Sequence, residues 1–251
     1  MSASPASAGK SAARLLAALA GAAFLAGCAG PSDDSQFSYD PWEPVNRDFH
    51  SFNKGLDTAL LRPTASVYDT VTPTLVRVLV RNGLSMLELP AVFVNHVLQG
   101  DIEDAGITAA RFGVNVVMGG VLLDPATELG LPLIETDLGL TFAEWGIEEG
   151  PYVELPLLGP ATSRDAVGRV GDIALNPLNF VTGADVLDVI RPAATATRVV
   201  EARAYNMTAI DQLLYESADS YVATRSAYLQ VRRRQVAGGV TEDQLPDVFG
   251  D

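Results

Sequence analysis

Phe112-Gly113-Val114-Asn115-Val116-Val117-Met118-Gly119-Gly120-Val121-Leu122-Leu123, closed by Asp124-Pro125, carries no charge, a single amide side chain and three glycines. As a helix it is about 18 Å long, well short of the ~30 Å hydrocarbon core of a bilayer, so it cannot cross one. A stretch of this length is either a buried core element or a re-entrant piece that dips into one leaflet. The choice separates an ordinary helical globule from a body seated in a membrane.

The periodicity around it is mostly helical. Val45, Phe49, Phe52, Leu56 and Leu60 recur at spacings of three and four and share one helix face, with Pro63 as the stop. Thr74 to Leu89 reads as a second helix, and Pro90 begins a further turn through Phe93, Val97 and Leu98 that Gly100 closes. Asp101 is placed to N-cap a helix through Ala105, Ala109 and Phe112, and Ser163 to cap one that ends near Leu175 before Asn176-Pro177. Val200, Ala204, Met207, Ile210 and Leu214 form the stripe of a long helix after Pro192. Another runs from about Asp219 to Val236. Tyr152 to Leu158 is the best strand candidate. The expected fold class is all-α, as a single domain over residues 39–236 without internal repeat. Residues 237–251 form an acidic, disordered tail.

The start of the chain reads as an address. Lys10 and Arg14 precede a 12-residue apolar stretch, Leu15 to Ala26, too short to span a bilayer and typical of a signal peptide over residues 1–27. Leu25-Ala26-Gly27-Cys28 resembles the lipobox of bacterial lipoproteins, in which cleavage precedes the cysteine and acyl chains are attached to it. Residues 28–38 then comprise the lipidated Cys28 and a small, polar, acidic, flexible tether. Ala29, where Asp would resemble the inner-membrane retention signal, directs the expectation to the periplasmic face of the outer membrane.

Composition narrows the chemistry. Seventeen Lys and Arg against 31 Asp and Glu give a net charge of −14, the opposite of a nucleic-acid-binding surface. Such a surface is also repelled by anionic lipid, so membrane attachment must be apolar. One cysteine excludes an intrachain disulfide, and two histidines with no second cysteine argue against a Cys/His zinc site. No cofactor is expected. Gly9-Lys10-Ser11 lacks the first glycine of a P-loop, and Ser85 lacks the flanking glycines of a nucleophile elbow. His50 and His96 lie in helical contexts without an acidic partner at a telling spacing, so the chain is not expected to be an enzyme. Asp101, Glu103 and Asp104 read as a solvated helix start, not as a metal site.

Asp40-Pro41-Trp42-Glu43-Pro44-Val45-Asn46-Arg47, Phe52-Asn53, Leu56-Asp57 and Arg62-Pro63 resemble the opening of the MlaA (VacJ) lipoproteins. The resemblance continues through Asn95, Leu98-Gln99-Gly100-Asp101, Arg111-Phe112, Asn115, Gly119-Gly120 and Asp124. It is densest from Trp145 to Asp165, and it closes with Asp219, Tyr221, Arg225, Tyr228, Gln230 and Arg232. It implies a ring-shaped helical body with amphipathic helices at the inner leaflet of the outer membrane and a central channel, beside a trimeric porin. The implied function is to withdraw mislocated phospholipid from the outer leaflet and pass it to a periplasmic carrier like MlaC, maintaining lipid asymmetry. The alternative is a structural lipoprotein that scaffolds a porin or an assembly complex.

Carried onto this sequence, the resemblance makes Asn115, Met118, Gly119 and Gly120 channel or hinge candidates. Asn46, Arg47, Phe52, Asn53 and Arg164 are motif candidates. Phe52 is read as either core or lipid contact, and Arg164 as either a helix start or a phosphate contact near the rim. Val116 stands where Ser or Thr is usual, and the segment from Asn115 to Asp124 is one residue shorter than the family pattern. Cys28→Ser is expected to leave the chain unacylated and to move it from the outer-membrane to the soluble fraction, as read by fractionation and immunoblotting.

Overall fold

A computed structural model of the chain describes residues 40–175 and 185–238, with the side chains of residues 174–175 and 185–191 excepted. The signal peptide, Cys28, the tether to Ser38 and the tail beyond Gly238 lie outside the described residues. The first helix, α1 (Glu43–Leu56), starts with Pro44 in its first turn and runs without a break into a π-helical segment, Asp57–Leu61, and then α2 (Arg62–Val71). Pro63 therefore does not stop the helix, contrary to the sequence reading. It falls in the first turn of α2, just after the π turn has widened the backbone ladder, with Arg62 N–H bonded five residues back to Asp57.

The same correction applies to Pro90 and Pro192. Pro90 lies inside one 26-residue helix, α3 (Thr74–Gln99), ended by Gly100 at φ +84°, and Pro192 lies inside α8 (Asp185–Tyr205). Packing on either side of each proline outweighs the lost hydrogen bond, since α3 lies along α4 (Ile102–Gly119) and α8 crosses both α2 and α3. α5 (Pro125–Glu128) and α6 (Leu138–Glu144) follow. A hairpin of β1 (Tyr152–Leu155) and β2 (Gly159–Thr162) comes next, antiparallel with Tyr152 opposite Thr162. β2 was not foreseen, because its Gly-Pro start reads as turn. α7 (Ser163–Leu175), α9 (Met207–Asp211), a second π turn (Gln212–Glu216) and α10 (Ser220–Val236) complete the chain. The stripe from Val200 to Leu214 is thus divided at Asn206 into α8, α9 and a π turn.

The polarity of this helical body is inverted in places. Asn46, His50 and Asp57 are the buried positions of α1 and the following turn, while Val45, Phe49, Phe52 and Leu60 are exposed. The apolar stripe read from the sequence is real, but it faces out. What α1 buries is an equally regular polar stripe at the complementary positions.

Two members of that stripe hold the hairpin. Asn46 donates to the Tyr152 carbonyl at 3.1 Å and accepts from the Glu154 N–H at 2.9 Å. Asn53, two turns on, donates to the Leu155 carbonyl at 2.9 Å and accepts from the Leu157 N–H at 2.8 Å. Each amide thus satisfies one carbonyl and one N–H along β1 and the turn that follows it, much as a third strand would. Against the hairpin pack Tyr221, Tyr228 and Leu229 of α10, with Tyr152 edge-on to both tyrosine rings. Asn46→Ala leaves a buried carbonyl and a buried N–H without partners and is expected to cost about 2–6 kcal/mol, taking the unsatisfied groups at about 1–3 kcal/mol each. Chemical denaturation in detergent measures it.

Candidate functional site

The uncharged stretch that opens the question folds as two pieces. α4 ends at Gly119, and Gly120 at φ +57° and Val121 at φ +74° reverse the chain. The left-handed turn suits Gly120, whereas Val121 is a β-branched residue held there against its preference. The N–H groups of Val121 and Leu123 close back onto the carbonyls of Asn115 and Gly119. The outcome is a blunt tip whose side chains face out: Val117 is 84% and Met118 63% exposed, and Phe112, Val116, Leu122 and Leu123 are exposed beside them. Asn82 of α3 donates to the Leu122 carbonyl at 3.1 Å and ties the tip to the longest helix.

A polar clamp lies beneath the tip. Asn115 is buried, donates to Asp124 at 2.9 Å and accepts from the Ala126 N–H at 3.0 Å. The buried Arg111 guanidinium also meets Asp124, together with the Thr127 hydroxyl at 3.0 Å. Burial alone would raise the Asp124 pKa. The hydrogen bonds from Thr127 and Asn115 and the charge of Arg111 outweigh that and hold it below the usual carboxylate range. A Cβ on Gly119 would come within 2.9 Å of the Pro125 ring, so this glycine permits a close approach of α4 and α5. Of the four channel or hinge candidates, the fold thus brings Asn115, Gly119 and Gly120 together at a turn, with Asn115 turned inward to the clamp and Met118 outward.

The motif candidates are placed as distinctly. Asn46 and Asn53 hold the hairpin, Arg47 forms a fork with Asp219 at the head of α10, and Phe52 is 53% exposed, which excludes it from the core. Arg164 is buried, with its Nη1 on the Ile147 carbonyl at 3.2 Å and its Nε 3.4 Å from Asp165.

Sequence reasoning missed the interior network. Arg203 of α8 lies against both carboxylate oxygens of Asp57, at 2.7 and 3.0 Å, and reaches Asp211, which also takes a fork from Arg62. Tyr215 adds a hydroxyl to Asp57 at 2.7 Å. Asp57 and Tyr215 both sit in π turns, which aim their side chains at one point. A second network joins Asn95 of α3 to Thr141 and Asp172, with Gln99 on Thr136 and Thr141. The signal available was the periodicity of the polar residues, Asn46, His50, Asn53 and Asp57 among them.

His50 needs a correction. The fold brings Glu154 to within 3.7 Å of its Nδ1 and the Ser220 hydroxyl to 3.0 Å from Nε2, partners more than a hundred residues away that no local spacing reveals. Lys54 also reaches Ser220, at 3.3 Å. Serine, imidazole and carboxylate stand in the order of a nucleophilic relay, but with the imidazole buried and edge-on to Tyr221. His96 is also buried and likewise gains acidic neighbours, Asp101 and Asp104.

Comparison with known proteins gives a consistent set of relatives. The family model described as MlaA lipoprotein matches residues 38–235. The intermembrane phospholipid transport system lipoprotein MlaA of Escherichia coli K12 is 34% identical over 90% of this chain and 89% of its own. That of Haemophilus influenzae is 30% identical over 93% and 95%. A solved chain from work on the structural basis for maintenance of bacterial outer membrane lipid asymmetry superposes with a TM-score of 0.67 at 32% identity. It covers 79% of this chain and 99% of that one.

Asp124→Asn strips the buried Arg111 of its counter-charge and is expected to destabilise the chain by about 3 kcal/mol. Because the folded pKa of Asp124 is depressed, its contribution is complete above the unfolded value near 3.9 and is lost as pH falls through the folded value. The difference between wild type and variant should therefore shrink below about pH 4, as followed by circular dichroism across an acid titration.

Proposed function

Because the chain belongs to the MlaA lipoprotein family, whose model matches it over residues 38–235, we propose that it withdraws mislocated phospholipid from the outer leaflet of the outer membrane through a channel. The relatives named as intermembrane phospholipid transport system lipoproteins support the lipid cargo, and the lipid passes on to a periplasmic carrier. The observation that carries the reading is the inverted polarity. Apolar side chains of α1, α2, α3 and the tip of α4 face out, while asparagines, aspartates and arginines are buried within.

No described helix is long and apolar enough to cross a membrane. A body with an outward apolar surface and no crossing helix suits residence within one leaflet, lying sideways. A lipid headgroup moved through hydrocarbon meets a barrier of at least several kcal/mol. A ring with a polar-lined opening removes most of it, leaving acyl chains in the bilayer while the headgroup passes. Direction comes from downstream, beginning with a carrier like MlaC, while a trimeric porin stands beside the ring and Cys28 is the acylated mooring on the periplasmic side. The chain acts without covalent chemistry. Among the described residues, the arrangement that favours a hydrolase instead is Ser220, His50 and Glu154, and the same experiment separates the two.

Deleting the gene is expected to leave phospholipid on the cell surface. Wild type and Ser220→Ala should both restore asymmetry, whereas Val117→Asp, which puts a charge into the exposed apolar tip, should not. Surface phospholipid measured by outer-leaflet acylation or headgroup labelling reads the result. Failure of Ser220→Ala would point to hydrolysis, and no change on deletion would point to a scaffold.

A further inference from the structure

His96, Asp101 and Asp104 converge where α3 hands the chain to α4, with one ligand atom of each within 4.8 Å of the others. From this juxtaposition we propose a divalent transition-metal site of the zinc class at the α3–α4 joint. It is separate from the Asp124 clamp and from the Ser220–His50 pair, and it does not depend on the transport reading.

The histidine carries the argument. His96 is 2% exposed, its Nε2 faces the Ile134 carbonyl at 3.5 Å, and its Nδ1 is buried without a hydrogen-bond partner. A buried ring nitrogen with no partner is something native folds rarely leave standing. With Nε2–H directed at a carbonyl, Nδ1 holds the lone pair, which is the tautomer and the outer support that a metal-bound imidazole uses.

The carboxylates are placed to complete the set. Asp101 occupies the N-cap of α4 yet makes no side-chain capping bond, so the usual use of an aspartate at that position is forgone. The backbone between the donors is fixed by Gly100 at φ +84°, by Asp101 N–H on the His96 carbonyl at 3.0 Å and by Ala105 N–H on the Asp101 carbonyl at 2.9 Å. The start of α4 by itself repels a cation and the end of α3 attracts one. Two carboxylates then neutralise a divalent ion and settle the balance in favour of binding.

One imidazole with two carboxylates suits Zn²⁺ and its first-row neighbours, whereas Ca²⁺ and Mg²⁺ ask for oxygen throughout. Tetrahedral bonds of about 2.1 Å set ligand atoms about 3.4 Å apart. The exposed Asp101 and half-exposed Asp104 close that gap by side-chain rotation. The ion would join the end of α3 to the start of α4 and fix the angle between them.

The test uses the full chain in detergent, purified without a histidine tag, stripped with chelator and dialysed against ZnCl₂. The expected result is one zinc per chain and a Tm that rises with zinc, with the affinity lowered about tenfold or more by Asp101→Asn and by Asp104→Asn. These are changes at accessible side chains that keep the fold. Co²⁺ in place of zinc should give a visible ligand-field band that both variants weaken and His96→Gln abolishes. The proposal is overturned if wild type binds no more zinc than the doubly substituted chain. It is equally overturned if Ca²⁺ binds as well as Zn²⁺ and His96→Gln changes neither.

Discussion

Every charged group that this fold takes out of water has to meet its counterpart there, and the rest of the structure follows from that requirement. An arginine buried alone would be prohibitive, and one paired with a carboxylate in good geometry is tolerable but adds little net stability. Arg203 with Asp57 and Asp211, Arg111 with Asp124, and Arg232 with Asp137 and Asp165 all obey the rule. These pairs are better understood as specifying which helix meets which than as the source of cohesion. Arg203–Asp57 and the two pairs of Arg232 join elements far apart in the chain, Arg111–Asp124 and Arg203–Asp211 close neighbouring ones, and none would be satisfied in a shifted register.

The tyrosines of α10 show the same logic. Tyr228 donates to Asp165 at 2.5 Å, and Tyr221 donates to Asp40. Burial first, and then the adjacent carboxylates, push both hydroxyls well above the ordinary tyrosine pKa and keep them as donors. Asp165 gains from the arrangement: burial opposes its charge, but the Tyr228 hydroxyl and Arg232 outweigh that and keep its pKa low. Polar residues thus occupy positions that in a water-soluble bundle would be leucine or valine, and the displaced apolar side chains lie on the outside. A surface of that kind is at ease only against hydrocarbon or another protein.

The helices were legible from period, and several ends from chemistry, such as Gly100 after α3 and Asp101 at the head of α4. The resemblance to a known family reached the right lipoproteins from dispersed motifs. Which face of α1 is buried was not legible, because the apolar stripe from Val45 to Leu60 signals a face and not its surroundings. Nor were the prolines, since Pro63, Pro90 and Pro192 obey tertiary packing over local preference. Asn115 and Gly119 were found as residues, but their visible work is to clamp and to permit close approach. The partners of His50 and Asp57 were beyond reach of any local pattern, since Glu154, Ser220 and Arg203 arrive from the other half of the chain.

The contact between the two ends of the body has a bearing on how the molecule comes into being. Asp40 meets Tyr221 across 181 positions of sequence, and Arg47 meets Asp219 across 172. A chain that emerges amino end first holds its opening helix without the α10 partners of Asp40 and Arg47 until Asp219 and Tyr221 have been delivered. Asn46 and Asn53 of that helix also wait for the hairpin. Closure is consequently a terminal event, slow by the measure of loop entropy. During that wait the polar face of α1 has no interior to meet, so the inside of this body is the last of its surfaces to exist.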